Sequence, residues 1–147
     1  MKGWAYNNMK ILVDTNIIID ALTSRQPFSH NAEQIFYMAA NHTAEMYITA
    51  NTATDIYYLL RKHLHNTKSA NETMSKIFSI FTILDVTAAH CINALSSAVA
   101  DYEDAVLEQT AFHAHMDYIV TRNIKDFQYS RIKALLPENL ISLMKHS

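Results

Sequence analysis

The stretch that decides the fold is ILVDTNIIID, residues 11–20, in which three polar residues separate two apolar runs. A short apolar run that ends in an acid is typical of a parallel strand covered on both faces. Such strands deliver the residues that follow them to one edge of a sheet, which is where open α/β sheets bind ligands. We therefore expect Asp14, Thr15 and Asn16 to lie at that edge.

Length and composition suit one domain with a core of its own, because half of the 147 residues are hydrophobic. A formal net charge of -2 gives no electrostatic argument for a protein that coats nucleic acid. Cys91 is the single cysteine, no apolar run reaches the roughly 18 residues of a membrane span, and no signal-peptide core is present. We expect a cytoplasmic protein without membrane contact, with an N-terminal extension at residues 1–8 and one domain at residues 9–147.

Periodicity sets the predicted elements, since one glycine and two prolines give little punctuation. Strands are predicted over residues 11–14, 46–49, 81–84 and 118–120 and near 133–136. Helices are predicted over residues 17–23, 29–41, 68–78 and 88–97, and from residues 52, 101 and 137 onward, with Ser29 as an N-cap. This alternation predicts an α/β fold in which helices cover both faces of a mainly parallel central sheet.

Acids and amides recur where predicted strands end or the following helices begin: Asp14, Asp55, Asp101, Asp104, Asn123 and Asp126. In a parallel sheet these positions share one edge, so the side chains are expected to converge. Carboxylates that lie close together raise each other's pKa unless a cation compensates. Hard oxygen ligands of this kind suit Mg²⁺ or Mn²⁺, through which an acidic site can also bind a phosphodiester.

Taken singly, these residues have ordinary explanations. Asp101 followed by Asp104 is typical of a helix cap with an acid in the first turn. Asp55 alone fits a first helical turn, and Asn123 and Asp126 alone are typical turn formers. Asp14 is harder to explain in this way, because a carboxylate at the end of an apolar strand needs a partner.

Four blocks together resemble, in order and spacing, the motifs of PIN-domain ribonucleases, including the VapC-type toxins. They read VDTNIIID, YITANTATDIYYLLRK, DYEDAVLEQTA and VTRNIKDF. The resemblance covers about residues 9–141. It implies a three-layer α/β/α sandwich, a Mg²⁺- or Mn²⁺-dependent endoribonuclease acting on RNA, an antitoxin partner and a homodimer.

The resemblance assigns catalysis and metal binding to four acids. Asp14 matches the first acid of the family, and Asp104 matches the acid that opens a later helix. Asp55 replaces the usual glutamate, which is one methylene longer, and Asp101 is an additional acid found in one branch. Around these acids the resemblance places residues that hold the ligands or the substrate: Thr15, Asn16, Thr121, Arg122, Asn123 and Asp126.

Other functions stay open at this point. The departures at Asp55 and Asn123 are compatible with a catalytically degenerate PIN-like module that binds RNA or a protein partner. Phosphoryl transfer through an aspartyl phosphate at Asp14 would also use a strand-end acid. However, the haloacid dehalogenase-like pattern requires a second Asp where this chain has Asn16, and the paired acids and later lysine of a response-regulator receiver are not evident.

Basic residues and histidines add less specific signals. A modest basic run, comprising Arg122, Lys125, Arg131 and Lys133, lies beside the predicted site and is suited to holding RNA phosphates. The pairs His63/His65 and His113/His115 are two residues apart, so on a helix their rings would point about 200° apart and could not share a metal. We expect structural or solvated roles for these histidines.

Overall fold

Five short strands form one all-parallel sheet in the computed structural model, which describes residues 9–145. The strand order is β3-β2-β1-β4-β5. The bounds are β1 Lys10–Val13, β2 Glu45–Thr49, β3 Thr82–Leu84, β4 Tyr118–Val120 and β5 Lys133–Leu135. Because β1 pairs with both β2 and β4, Asp14 leaves the sheet from its centre. The predicted extension at residues 1–8 lies outside the described residues.

Seven α-helices and one 3₁₀ helix, Ile124–Phe127, accompany the strands within the described part of the chain. The α-helices are α1 Thr15–Leu22, α2 Ser29–Ala40, α3 Ala50–Leu64, α4 Thr67–Ile80, α5 Ala88–Ala94, α6 Tyr102–His113 and α7 Pro137–Lys145. None of the helices in residues 9–145 combines the length and the apolar character needed to cross a membrane. The predicted α/β class is confirmed.

Two cores lie on opposite faces of the sheet, because successive residues of a strand point to opposite sides. Ile11 and Val13 of β1 belong to the larger core, which α1, α2, α3, α4 and α7 complete. Leu12 belongs to the smaller core with Leu107 and Ala111 of α6. Burial of each such aliphatic side chain stabilises the folded state by about 1.5–3 kcal/mol. Helices therefore cover both faces, which confirms the three-layer α/β/α sandwich.

Helices α3, α4, α5 and α6 begin at side-chain caps, of which the sequence pattern indicates only Asp101. Thr49, Asn66, Thr87 and Asp101 each accept a backbone N–H of the helix that follows. The predicted cap at Ser29 is wrong, because Ser29 is already the first residue of α2 and its hydroxyl accepts a hydrogen bond from the Gln26 amide.

Four helices end in residues with left-handed backbone conformation, the position where glycine is usual. Ser24, His42, His65 and His115 follow α1, α2, α3 and α6, with φ between 52° and 58°. Three of the histidines thus lie at helix ends.

Candidate functional site

A cavity of about 310 Å³ opens at the carboxyl edge of the sheet. Its walls come from the residues after β1, from the end of β2 with the first turns of α3, and from the start of α6. Four acids and five other polar residues line it: Asp14, Asp55, Glu103 and Asp104, with Thr15, Thr49, Asn51, Thr52 and Thr54. Parallel strand ends and helix starts thus bring together acids that are up to 90 residues apart in sequence.

Asp14 is half-buried and held from three directions. The backbone N–H of Thr15 donates to Oδ1 at 2.8 Å, and the Thr121 hydroxyl donates to Oδ2 at 2.8 Å. The Asn16 amide donates a longer bond to Oδ2, at 3.4 Å. Burial raises the pKa of Asp14 against the opposing effect of these hydrogen bonds, and nearby Glu103 raises it further. Of the residues that the resemblance places around the acids, Thr121 and Asn16 bond Asp14 through their side chains, whereas Thr15 does so through its backbone N–H.

The direction of the Thr121 hydroxyl proton follows from a count of its partners. Thr121 is fully buried, and its oxygen accepts N–H groups from the Asn16 side chain and the Asn123 backbone, at 3.3 and 3.1 Å. A hydroxyl has one proton and two acceptor sites. Both acceptor sites are used, so the proton points to Asp14 and stabilises its ionised form.

Asp104 lies in the first turn of α6 and is the most perturbed acid of the cavity. Burial, followed by the negative charges of Asp14, Asp101, Asp126 and Glu103, raises its pKa from 3.8 to about 7. Each of these neighbours disfavours a second negative charge at Asp104. Asp14 and Asp104 line the same cavity, and the negative charge of Asp14 disfavours ionisation of Asp104.

The remaining predicted acids and amides take different places. Asp55 is exposed and lines the cavity. Asp101 caps α6, where its Oδ1 accepts the backbone N–H of Asp104 at 3.0 Å, and it does not line the cavity. Asn123 and Asp126 are exposed at the start of the 3₁₀ helix. Asp126 reaches the site through its charge, which raises the pKa of Asp104.

Sequence reasoning missed Glu103, Thr49 and Thr52, which line the cavity. The hydroxyls of Thr15 and Thr52 are 2.8 Å apart, and the Thr49 hydroxyl donates to that of Thr52 at 3.2 Å. This chain of hydroxyls joins the starts of α1 and α3. A signal for Glu103 was available, since it lies beside Asp104 in the block DYED.

Both arginines of the basic run form ion pairs with carboxylates of the same chain. The guanidinium of Arg122 bonds the buried carboxylate of Asp20 and lies over the Phe28 ring, 4.2 Å from its centroid. Arg131 pairs with buried Glu108 at 2.8 Å and lies over the Phe112 ring. Both guanidinium groups are thereby committed to internal ion pairs.

Within residues 9–145, the His, Cys, Asp and Glu side chains form no group of three or more that could hold a metal ion. The predicted Mg²⁺ or Mn²⁺ site is therefore not preformed as an all-protein cage in the described part of the chain.

Comparison with known proteins gave one family match. A family model described as a PIN domain matches residues 10–125, which is most of the chain. A search of curated proteins gave no match.

Solved structures share this fold at low sequence identity. A toxin-antitoxin complex from Klebsiella pneumoniae contains a chain with 22% identity and a TM-score of 0.65, over 86% of this chain and 97% of that one. A chain of FitAcB from Neisseria gonorrhoeae has 22% identity and a TM-score of 0.64, over 87% of this chain and 98% of that one. A chain of VapBC2 from Rickettsia felis, bound to a DNA fragment from their promoter, has 17% identity and a TM-score of 0.62, over 87% of this chain and 98% of that one. At these identities the likeness shows a common fold that extends over nearly the whole of each matched chain.

Proposed function

Because the chain belongs to the PIN domain family, we propose that it is a Mg²⁺- or Mn²⁺-dependent endoribonuclease and the toxin of a toxin-antitoxin pair. The observation that carries this proposal is the presence of Asp14 and Asp104 in one polar cavity, where the charge of Asp14 helps to raise the pKa of Asp104. Repelling carboxylates at a sheet edge are stabilised by a divalent cation, and a phosphodiester needs that same cation in order to approach them.

The residues of the cavity fit Mg²⁺ or Mn²⁺ in a hydrated form. Mg²⁺ typically uses one or two carboxylates and completes its coordination with waters and substrate phosphate. A carboxylate offers about four acceptor sites, and Asp14 receives hydrogen bonds from Thr15, Thr121 and Asn16. Its Oδ1 accepts only one of them among the described residues, which leaves capacity for a cation. Asp14 and Asp104 would hold the metal, with Asp55 and Glu103 acting through water.

In the proposed reaction, water attacks phosphorus and breaks a phosphodiester bond of RNA. When bound, the divalent cation supplies positive charge that favours deprotonation of the attacking water and offsets charge on the phosphate. Thr121 and Thr15 hold Asp14 in place, and their hydrogen bonds favour its ionised form against the opposing effect of burial. Asp101 and Asp126 add negative potential at Asp104, and the linked hydroxyls of Thr15 and Thr52 hold the starts of α1 and α3 together beside the acids.

Cleavage of total RNA tests the nuclease. We expect the wild-type chain to give discrete fragments with Mn²⁺ or Mg²⁺ and none with EDTA, and Asp14→Asn to lose at least about 100-fold in rate. Glu33→Gln is the matched control, because Glu33 is an exposed acid on α2 that does not line the cavity. Intact RNA with the partner-free wild type in both metals would refute the proposal.

An antitoxin partner is proposed from the matched folds, since these come from a toxin-antitoxin complex and from VapBC and FitAB assemblies. An apolar groove between α3 and α4, lined by Tyr57, Tyr58, Met74 and Phe78, shares Thr54 with the acidic cavity. A partner segment with apolar residues followed by a basic one would fill the groove and place its charge on the acids. Co-expression with the product of a small neighbouring open reading frame tests this, and a complex that suppresses RNA cleavage is the expected result.

A catalytically degenerate module is the second candidate. It is favoured by the lack of a three-acid group in residues 9–145 and by Asp55 at a position where the family usually has glutamate. Mn²⁺ separates the two candidates. A nuclease should gain thermal stability with Mn²⁺ in the wild type and not in Asp14→Asn, whereas a degenerate module should gain none in either.

A further inference from the structure

The ion pair between Arg122 and Asp20 has no direct place in the proposed chemistry. The carboxylate of Asp20 is fully buried on α1, and the Arg122 Nε and Nη2 donors take its two oxygens separately. The side chain of Arg122 is only 21% exposed and packs over Phe28. Burying two charges costs solvation that their attraction only partly returns, so such a pair is a poor general stabiliser. Its planar, two-bond geometry instead fixes one segment relative to another.

A second contact joins the same two segments. Asn16 precedes Asp20 by four residues on α1, so the two side chains lie on one face of the helix, a turn apart. The Asn16 Oδ1 accepts the backbone N–H of Arg122 at 3.3 Å. The loop after β4 is therefore attached to α1 at two points, through the guanidinium and through the backbone of one residue.

Thr121 lies within this doubly attached loop. Its hydroxyl proton goes to Asp14 at 2.8 Å, while the Asn16 amide donates to both Thr121 and Asp14. Asp14 itself is the N-cap of α1, the helix to which the loop is attached. A shift of the loop by about 1 Å would stretch the Thr121 hydrogen bond beyond useful length. The orientation of Asp14 therefore depends on where Arg122 holds the loop.

From these contacts we propose that Arg122 is a positioning residue, which fixes the metal-binding orientation of Asp14 through its ion pair with Asp20 and its backbone bond to Asn16. This inference rests on the proposed function. It also gives Arg122 a role different from phosphate binding, because its guanidinium is already occupied by a buried carboxylate.

The sign of the effect on metal affinity distinguishes positioning from simple charge. Arg122 is a cation near the site, so if only its charge mattered, its removal would leave Mn²⁺ binding unchanged or tighter. If it positions Asp14, its removal must weaken binding. Arg122→Met alone would leave Asp20 buried without a partner, so Asp20→Asn/Arg122→Met is the better variant, since it removes both charges and leaves the net charge unchanged.

Mn²⁺ binding, followed by the electron paramagnetic resonance signal of free Mn²⁺, gives the test without RNA. We expect the double variant to fold and to bind Mn²⁺ about tenfold more weakly than the wild type, with Arg122→Lys intermediate. The matched control is Glu108→Gln/Arg131→Met, which removes the other arginine–carboxylate pair of the described residues and should keep Mn²⁺ affinity within about twofold.

Two results would overturn the inference, and they differ in what else they affect. A folded double variant with wild-type or tighter Mn²⁺ affinity would refute the positioning role and leave the proposed nuclease standing. A wild type that binds no Mn²⁺ would refute the proposed function, and the positioning role with it. Where Mn²⁺ binding is weakened as expected, RNA cleavage at saturating Mn²⁺ should recover most of its rate.

Discussion

The pKa of Asp104 depends strongly on burial and on the charges around it. Its pKa of about 7 in the folded chain compares with an ordinary value of 3.8, so between these pH values the folded state binds a proton that the unfolded state has released. Stability must then fall as the pH rises through this window and level off above it. The raised pKa of Asp14 acts in the same direction. The lowered pKa of His90 acts in the opposite direction, below its ordinary value of 6.5.

We therefore expect the metal-free protein to lose about 1–3 kcal/mol of stability between pH 5 and pH 8, after allowance for partial solvent screening. Asp104→Asn should remove most of this loss, and the difference between the two proteins cancels the contribution of His90. Chemical denaturation in EDTA across the pH range measures it. If the free energy of unfolding changes equally with pH in the wild type and in Asp104→Asn, the pKa of Asp104 is not raised in the folded protein.

Helix α6 combines two tasks at its first turn. Asp101 caps the helix by accepting the Asp104 N–H, and its charge adds to the repulsion that acts on Asp104. The resemblance to PIN-domain ribonucleases offers Asp101 as a metal ligand, whereas the described contacts make it a helix cap. The two roles can be separated, because asparagine caps a helix as well as aspartate does and carries no charge.

Substitution of Asp101 tests this element. Asp101→Ala should cost about 1 kcal/mol through loss of the cap, while Asp101→Asn should keep the stability within a few tenths of a kcal/mol. If Asp101 acts only through its charge, Asp101→Asn should lower RNA cleavage by less than about tenfold. A loss as large as that of Asp14→Asn would instead identify Asp101 as a direct metal ligand. Thermal unfolding and single-turnover cleavage give the two readouts.

At the scale of the whole molecule, charge limits how RNA can be held. The net charge is -2, and both arginines of the basic run are paired with buried acids. Lys125 and Lys133 of that run are exposed. Few phosphates can then be neutralised, and affinity for single-stranded RNA should depend weakly on salt, since each neutralised phosphate adds about 0.7 to the slope.

Fluorescence anisotropy with inactive Asp14→Asn protein would measure this dependence. We expect a slope of log K against log salt of about -1 to -2, reduced in magnitude by Lys125→Gln/Lys133→Gln. Lys76→Gln is the control, because Lys76 is an exposed lysine on α4 outside the basic run. If the slope of log K against log salt is steep and the double substitution does not change it, RNA binds a different surface of the protein.

The sequence predicted the order of strands and helices because hydrophobic periodicity is local, and residues 11–14 and 118–120 carry it clearly. It also predicted that Asp14, Asp55 and Asp104 would share one edge, since the carboxyl ends of parallel strands gather there with the starts of helices. It could not predict the partners of Arg122 and Arg131. Each guanidinium pairs with an acid that lies more than 20 residues away in sequence, and whether a basic side chain faces RNA or a buried carboxylate depends on packing alone.

The helix ends that lack glycine have a practical consequence. A residue with a side chain in the left-handed conformation costs roughly 1–2 kcal/mol relative to glycine, and Ser24, His42, His65 and His115 adopt it. Together, the conformational cost of these four residues is comparable to a sizeable part of a domain's net free energy of unfolding. None of the four lines the acidic cavity. Glycine at these positions should therefore stabilise the protein. In that more stable background, substitutions that destabilise the cavity could be compared by their effect on activity without unfolding the chain.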